Sequence, residues 1–472
     1  MKQQDPMDTS VSIASSADVF AWLSRFINIE TGQFSTSLRL DRMEVLARLA
    51  GHPERSAPVI HIAGSKGKGS VTGMITAILE AEGLRPARYT SPHVTEYRER
   101  ITQGNAFFDE SIYIQAGREL VSIEALLRNT PQSDIRYFDP PAADDTEASF
   151  FELLTLYFFL CARLARCDVM VVETGLGGRL DATNIVEPLV SVITLIELEH
   201  TEFLGDHLGA IAIEKAGIIK REKPLILAEQ APAALEVFKQ TAASCHAPLY
   251  YLPEVLDLQH IEVSPQGTTF SIASKRQALL PSPLKLTIPI PGKIQAQNAT
   301  LSLAAAKLAF PTLKVASILR GLQDFTLPAR FERIMDAPIF IVDGAHTPQS
   351  VEACVETFSA LYGKQGILIF GCAAGKDAVS MAKILIPHFA QILITTPGTF
   401  KVSFPHLVYD TFSAEATSVG KESMVCYIPN TTKAIEQAIE QGREKKLPLL
   451  GTGSFYLAAE IRNKMHSCVL CT

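Results

Sequence analysis

The sequence carries no sign of a disulfide framework. Its eight cysteines are scattered from Cys161 to Cys471, and the one close pair, Cys468-Val469-Leu470-Cys471, has no matching second pair. A structural zinc site normally takes four ligands, so the pattern argues against a zinc ribbon and for reduced thiols in a cytoplasmic protein. Long apolar runs are also missing. The most apolar stretch, Phe150 to Leu164, contains Glu152 and Arg163 and is too short to span a bilayer. Met1 to Ser16 is polar, without the apolar centre of a signal peptide. Positive charge is not in surplus: 43 basic residues stand against 50 acidic ones, a formal net charge of −7. That argues against nucleic acid as the main partner. Repeats and low-complexity tracts are absent, and 47% hydrophobic with 20% charged residues excludes disorder. What remains is a soluble chain of 472 residues, long enough for two or three domains.

Short apolar strands alternate with amphipathic helices from Val59 to Glu229. Strands are expected over Val59–Ala63, Asp168–Glu173, Ser191–Ile196 and Pro224–Ala228, and helices over Phe151–Leu164 and Leu208–Ile219. This alternation predicts a mostly parallel sheet with helices on both faces. The proline-rich stretch Leu252–Pro291 has short alternating runs and reads as a small antiparallel insertion. Asn298–Phe310 reads as a helix. A second α/β unit follows, with strands Ile339–Val342, Gly366–Phe370, Ile392–Thr395 and Leu447–Leu450 and helices Gln349–Leu361, Ala378–Phe389 and Thr432–Gln441. Pro448 suits a strand start or a sheet edge. The boundary falls near Leu327-Pro328-Ala329, giving domains 1–328 and 329–472.

The run Gly64-Ser65-Lys66-Gly67-Lys68-Gly69-Ser70 lies between an expected strand and a helix-like stretch, Val71 to Glu82. A glycine-rich bend there lets backbone N–H groups close around a phosphate at the positive end of a helix, with Lys68 as a point charge. Gly69 separates Lys68 from Ser70, so the spacing departs from the Walker pattern. The bland alternative is a glycine turn with exposed lysines. Glu173 ends its strand at the edge where ligands bind in open parallel sheets, and could hold Mg²⁺ there. His200 reaches the same edge but taken alone reads as a surface loop histidine.

Together these segments resemble the Mur ligase family, in its folylpolyglutamate synthase/dihydrofolate synthase branch. The carriers are Gly64–Ser70, Tyr89-Thr90-Ser91-Pro92-His93 with Arg98-Glu99-Arg100-Ile101, Glu173–Asn184, Glu199-His200-Thr201, Glu214–Ile218, Gln297-Asn298-Ala299 and Asp343-Gly344-Ala345-His346. The resemblance implies a P-loop-type ATPase domain carrying the folate site, with a small β insertion, and a smaller Rossmann-like glutamate-ligase domain. It implies ATP phosphates on Gly67, Lys68, Gly69 and Ser70, nucleotide contacts from Asn298, Arg330 and Asp343, and His346 beside the chemistry. Ser91, Glu173 and His200 match magnesium ligands, with two ions implied. Lys215 matches a lysine that many members carry as a carbamate; in isolation it reads as a solvated helix lysine. Ser149, Leu180, Asp181 and Ala182 fall where the branch binds its pteroate substrate.

The implied reaction is ATP-dependent addition of L-glutamate to a folate carboxylate through an acyl phosphate, by an expected monomer with only small-molecule substrates: ATP, L-glutamate and folate or dihydropteroate. Some positions depart from the family pattern. Ser65-Lys66 replaces Thr-Asn, His346-Thr347-Pro348 replaces His-Asn-Pro, and Ala329 replaces a glycine. The pterin segment, usually Asp-Leu-Gly-Leu-(Asp/Glu)-Arg, is Ser37-Leu38-Arg39-Leu40-Asp41-Arg42, which bears on dihydropteroate as a substrate. Another Mur-type amide ligase, a phosphate-loop kinase or ATPase, and a non-catalytic ATP-gated scaffold are the alternatives.

Overall fold

The computed structural model describes residues 12–28, 39–129, 147–275, 279–280, 282–398 and 401–469. Ser37, Leu38 and Cys471 lie outside them. The first unit is built on eight strands: β1 (Val59–Ala63), β2 (Pro86–Tyr89), β3 (Ile101–Gln103), β4 (Ala106–Phe107), β5 (Val169–Glu173), β6 (Pro188–Ile193), β7 (Leu225–Leu227) and β8 (Leu249–Tyr251). Their order across the sheet is β4-β3-β2-β5-β1-β6-β7-β8. From β2 to β8 neighbouring strands run parallel, and only the β2–β3 and β3–β4 pairs are antiparallel. β1 and β5 are buried throughout, as continuous apolar strands covered on both faces must be.

The helix Phe150–Leu164 buries all but three of its residues, because it packs between the sheet and the helix Glu110–Asn129. Its N-terminus is closed by a capping box between Ser149 and Glu152, and buried Glu152 also pairs with Arg42 at 3.1 Å. On the other face, helices Lys68–Ala81, Lys293–Ala309 and Val315–Gln323 share a second core with the insertion, whose strands are β9 (Leu256–Ser264), β10 (Gly267–Ser274) and β11 (Leu284–Ile288). The insertion is an antiparallel sheet, as its alternating runs predict.

The second unit holds β12 (Glu332–Asp336), β13 (Ile339–Val342), β14 (Gly366–Phe370), β15 (Phe389–Ile394), β16 (Val425–Tyr427) and β17 (Leu449–Thr452), ordered β12-β13-β17-β14-β15-β16. The strand that Pro448 marks as a possible sheet edge is thus central. Pro448 stands just before it and serves only as an acceptor, its carbonyl taking the Ile367 N–H at 2.9 Å. The helix expected over Ala378–Phe389 stops at Leu385, and Phe389 already opens β15. The two units touch where Val94 packs on a core of the second unit and Arg462 donates to Thr95 Oγ1 at 3.4 Å.

Candidate active site

Because β1 lies between β5 and β6, the loops leaving these three strands share one edge. Gly64–Ser70 follows β1, Glu173–Asn184 ends β5, and Thr194–His200 follows β6. Ser91 follows neighbouring β2. In the glycine loop, Leu195 O accepts from both Ser65 N (2.9 Å) and Lys66 N (3.1 Å), which anchors the entry. The first helical bond runs from Val71 N to Gly67 O at 2.9 Å. The N–H groups of Lys68, Gly69 and Ser70 therefore have no intrahelical partner and form the anion-ready end. Gly67 sits at φ 87°, and a Cβ there would lie 2.6 Å from Asn298 Oδ1, so Asn298 and the loop fit only with glycine at this position.

Two lysines meet at one carbonyl. Lys68 Nζ and Lys215 Nζ each donate to Gly64 O at 2.8 Å, and Lys215 also pairs with Glu199 Oε1 at 2.8 Å. Lys215 is 1% exposed, so the solvated helix lysine that it resembles in isolation is not what the fold makes of it. Burial, reinforced by the Lys68 charge, brings its ammonium down to about 8. Burial alone would raise the Glu199 carboxyl, but Lys68 and Lys215 hold it well below its ordinary range. The block carrying Lys215 is locked to the loop after β5: Arg179 pairs with Glu214 at 2.8 Å and Asn184 Nδ2 donates to Gly217 O at 3.0 Å.

Glu173 is buried, and its Oε2 has no hydrogen-bond partner. Burial pushes its carboxyl up to about 7, against the pull of Lys68 and of the Ser91 N–H. A buried carboxylate short of partners is what a cation site requires, so the residues fit Mg²⁺. Among the described residues no group of three His, Cys, Asp or Glu side chains forms a metal cluster by itself. Any ion held by Glu173 thus needs Ser91 or substrate oxygens as well. His200 is exposed, at φ 47° ahead of the short helix Thr201–Leu204.

Asp181 is differently engaged. Its Oδ2 accepts from Gly175 N (2.9 Å) and Leu176 N (2.8 Å), and its Oδ1 from Thr183 N (3.0 Å) and Thr183 Oγ1 (2.5 Å). Thr183 Oγ1 lies 2.8 Å from His61 Nε2 in β1. The threonine's single proton goes to Asp181, so His61 donates from Nε2. The Asp181 carboxylate is thereby committed to shaping the loop. Ala182 is buried beside it, Leu180 is half-buried, and the Ser149 hydroxyl donates to Glu152 at 2.8 Å.

From the second unit, Asp343 accepts from Phe331 N and Ala345 N, both at 2.8 Å. The Arg330 guanidinium lies over the Phe455 ring at 4.2 Å, and His346 Nδ1 lies 2.9 Å from Gly344 O. Arg330 is close enough to Glu173 to stabilise its charge, so the two units face each other. Sequence reasoning gave no role to Glu199, Thr183, His61 or Phe455. Glu199 could have been found from its place beside His200 and Thr183 from its place two residues after Asp181; His61 and Phe455 depend on contacts distant in sequence.

The Mur ligase middle domain model matches residues 62–306 and the Mur ligase glutamate ligase domain model matches 329–454. The chain belongs to the Mur ligase family. It is similar to the dihydrofolate synthase/folylpolyglutamate synthase of Bacillus subtilis, 30% identical over 92% of this chain and 96% of the relative. The folylpolyglutamate synthase of Lacticaseibacillus casei is 28% identical over 90% and 94%. Among solved structures, Mycobacterium tuberculosis folylpolyglutamate synthase complexed with ADP and AMPPCP superposes with a TM-score of 0.83, at 27% identity, over 97% of this Mur ligase chain and 99% of that one. The folylpolyglutamate synthase/dihydrofolate synthase branch is therefore the one to which this Mur ligase belongs.

Proposed function

We propose that this chain is an ATP-dependent ligase that joins L-glutamate to the carboxylate of a folate, as a tetrahydrofolylpolyglutamate synthase. The observation that carries this reading is one sheet edge holding an anion-ready helix end, Lys68, an incompletely paired Glu173 and buried Lys215, with Arg330 and Asp343 opposite. An ADP and AMPPCP complex and an AMPPCP–folate complex are known for its structural neighbours, which favours ATP and folate as ligands here. Dihydrofolate synthase activity is a second reading, favoured by the bifunctional names of relatives such as that of Bacillus subtilis.

A carboxylate resists amine attack because oxide is a poor leaving group. Phosphorylation to an acyl phosphate removes that obstacle, and the amine of glutamate then displaces phosphate. The N–H groups of Lys68, Gly69 and Ser70 receive the polyphosphate, and Lys68 leaves Gly64 O to neutralise charge on the transferring phosphoryl group. Asn298 in the first unit and Arg330 and Asp343 in the second orient the nucleotide, and their approach excludes water from the acyl phosphate. Ser91, Glu173 and His200 would hold two magnesium ions, together with Lys215 as a carbamate. Bound there, magnesium supplies charge neutralisation at the phosphate oxygens. The lowered Lys215 ammonium favours the carbamate, since only the neutral amine can attack CO₂ and lose its proton. His346, on the second unit's facing loop, is assigned to the incoming amine, and Ser149, Leu180, Asp181 and Ala182 are assigned to contact with the pteroate part.

The proposed setting is a cytoplasmic monomer. Six described cysteines are free thiols, and no described helix is long and apolar enough to cross a membrane. The test is incorporation of labelled L-glutamate by the purified protein with ATP and Mg²⁺, offering tetrahydrofolate and dihydropteroate in parallel. Label on tetrahydrofolate is expected; label on both makes the enzyme bifunctional. ATP hydrolysis without label on either would overturn the assigned substrate.

A further inference from the structure

The glycine loop contains one cation that the mechanism leaves unused. Lys66 is half-buried, and its ammonium has no hydrogen bond or ion pair among the described residues. Its backbone is fixed, because Ser65 N and Lys66 N both donate to Leu195 O and Ser65 Oγ donates to Glu197 O at 3.0 Å. Those two N–H groups are spent, so the anion cradle starts beyond them, and Lys66 stands outside it on the β6 side. A partly desolvated ammonium held in place without a partner is costly unless an anion completes it.

The surroundings select the anion. Lys66 sits in the field of Glu197 and Glu199 from the loop after β6, of Lys68, and of Lys376 from the loop after β14. His346 feels Lys66, Lys376 and Arg330 together, so this corner spans both units. A polyphosphate placed there would be repelled by two glutamates. A zwitterionic amino acid with an additional carboxylate would not: lysines suit its carboxylates and Glu197 its ammonium, Glu199 being paired with Lys215.

We propose that Lys66 binds a carboxylate of the incoming L-glutamate at the cleft between the glycine loop and Lys376. The inference rests on the ligase reading above. The decisive variant is Lys66→Asn, which removes the charge and keeps a polar side chain, with Lys66→Arg as the conservative control. With the full chain, ATP and tetrahydrofolate, Lys66→Asn is expected to raise KM for L-glutamate about tenfold or more. KM for ATP and the thermal midpoint should stay unchanged, and Lys66→Arg should retain most of the affinity. Repeating the assay with L-glutamine tells which carboxylate is held. A fall in the preference for glutamate over glutamine assigns the side-chain carboxylate, and equal losses assign the α-carboxylate. A raised KM for ATP with unaltered KM for glutamate would overturn the proposal in favour of a phosphate contact, and no change in either would make Lys66 a bystander. If the unmodified protein transfers no glutamate at all, the ligase reading itself falls and takes this inference with it.

Discussion

At the start of the loop after β5, Glu173 has one carboxylate oxygen without a partner; towards its end, Asp181 has both oxygens filled by four donors. Both residues are buried and both come from the same family-matching segment. Around Glu173 the structure has left a group underpaired beside Lys68 and facing Arg330. Around Asp181 it has built a closed network down to His61 in the central strand. Identity in a motif therefore does not separate a carboxylate kept for a ligand from one spent on the fold. The number of hydrogen bonds each already makes does.

Glu173→Gln should break this contrast most sharply, because it separates activity from stability. Turnover is expected to fall about a thousandfold, as when a charge-stabilising group is removed at the reacting centre. Stability of the ligand-free protein should move the other way. The Glu173 carboxyl is raised to about 7, so the stability it contributes is present at low pH and is lost as pH rises through that value. At pH 8 the wild-type chain bears about 3 kcal/mol for ionising this buried group, which the amide avoids. A lower melting point with undiminished turnover would mean that Glu173 is structural.

Lys215→Ala comes next. Loss of about a hundredfold in turnover is expected, in line with removing a group that organises charge at a metal-assisted site. Added acetate should recover part of it by filling the place of the carbamate. Undiminished activity would leave Lys215 as a buried partner of Glu199 and nothing more. Asp181→Asn should do the reverse of Glu173→Gln. An amide N–H₂ turned toward donors leaves at least one buried N–H unpaired, costing about 1–3 kcal/mol in urea unfolding. The accompanying change should appear in KM for the folate more than in kcat, since the loop shifts while the cradle stays.

The contrast also marks what could be read from the chain. The glycine loop was legible because its spacing, preceding apolar strand and following helix all lie within Val59–Glu82. The parallel alternation of β1, β5, β6 and β7 was legible for the same reason. Short strands such as β2, β3, β8 and β16 have too few residues to establish a period, and Pro448 disguised a central strand. The burial of Lys215 arises with a partner far along the chain, Gly64; the donors to Asp181 all lie within six residues of it, and only the tie from Thr183 to His61 is distant. No local pattern encodes such contacts, and so a lysine that reads as solvated can lie 1% exposed.

The smallest expected effect concerns the base of the Asp181 network. His61 is fully buried, its Nε2 is used by Thr183 and its Nδ1 has no partner. Burial, with the Lys220 charge adding to it, brings the imidazole from 6.5 down to about 3. A histidine held neutral in the fold contributes stability that is present above pH 6.5 and is lost as pH falls toward 3, because the unfolded chain takes up the proton first. The loss should reach about 1.4 kcal/mol per pH unit once the unfolded histidine is protonated. In His61→Gln the amide can still donate to Thr183 but cannot titrate. Near pH 7 the variant should differ from wild type by little more than the altered packing. Between pH 6.5 and 5 the wild-type urea-unfolding free energy should fall relative to that of the variant, since carboxylate contributions are common to both proteins. Parallel curves across that range would show that His61 is protonated in the folded state without penalty, and that the network beneath Asp181 is open rather than closed.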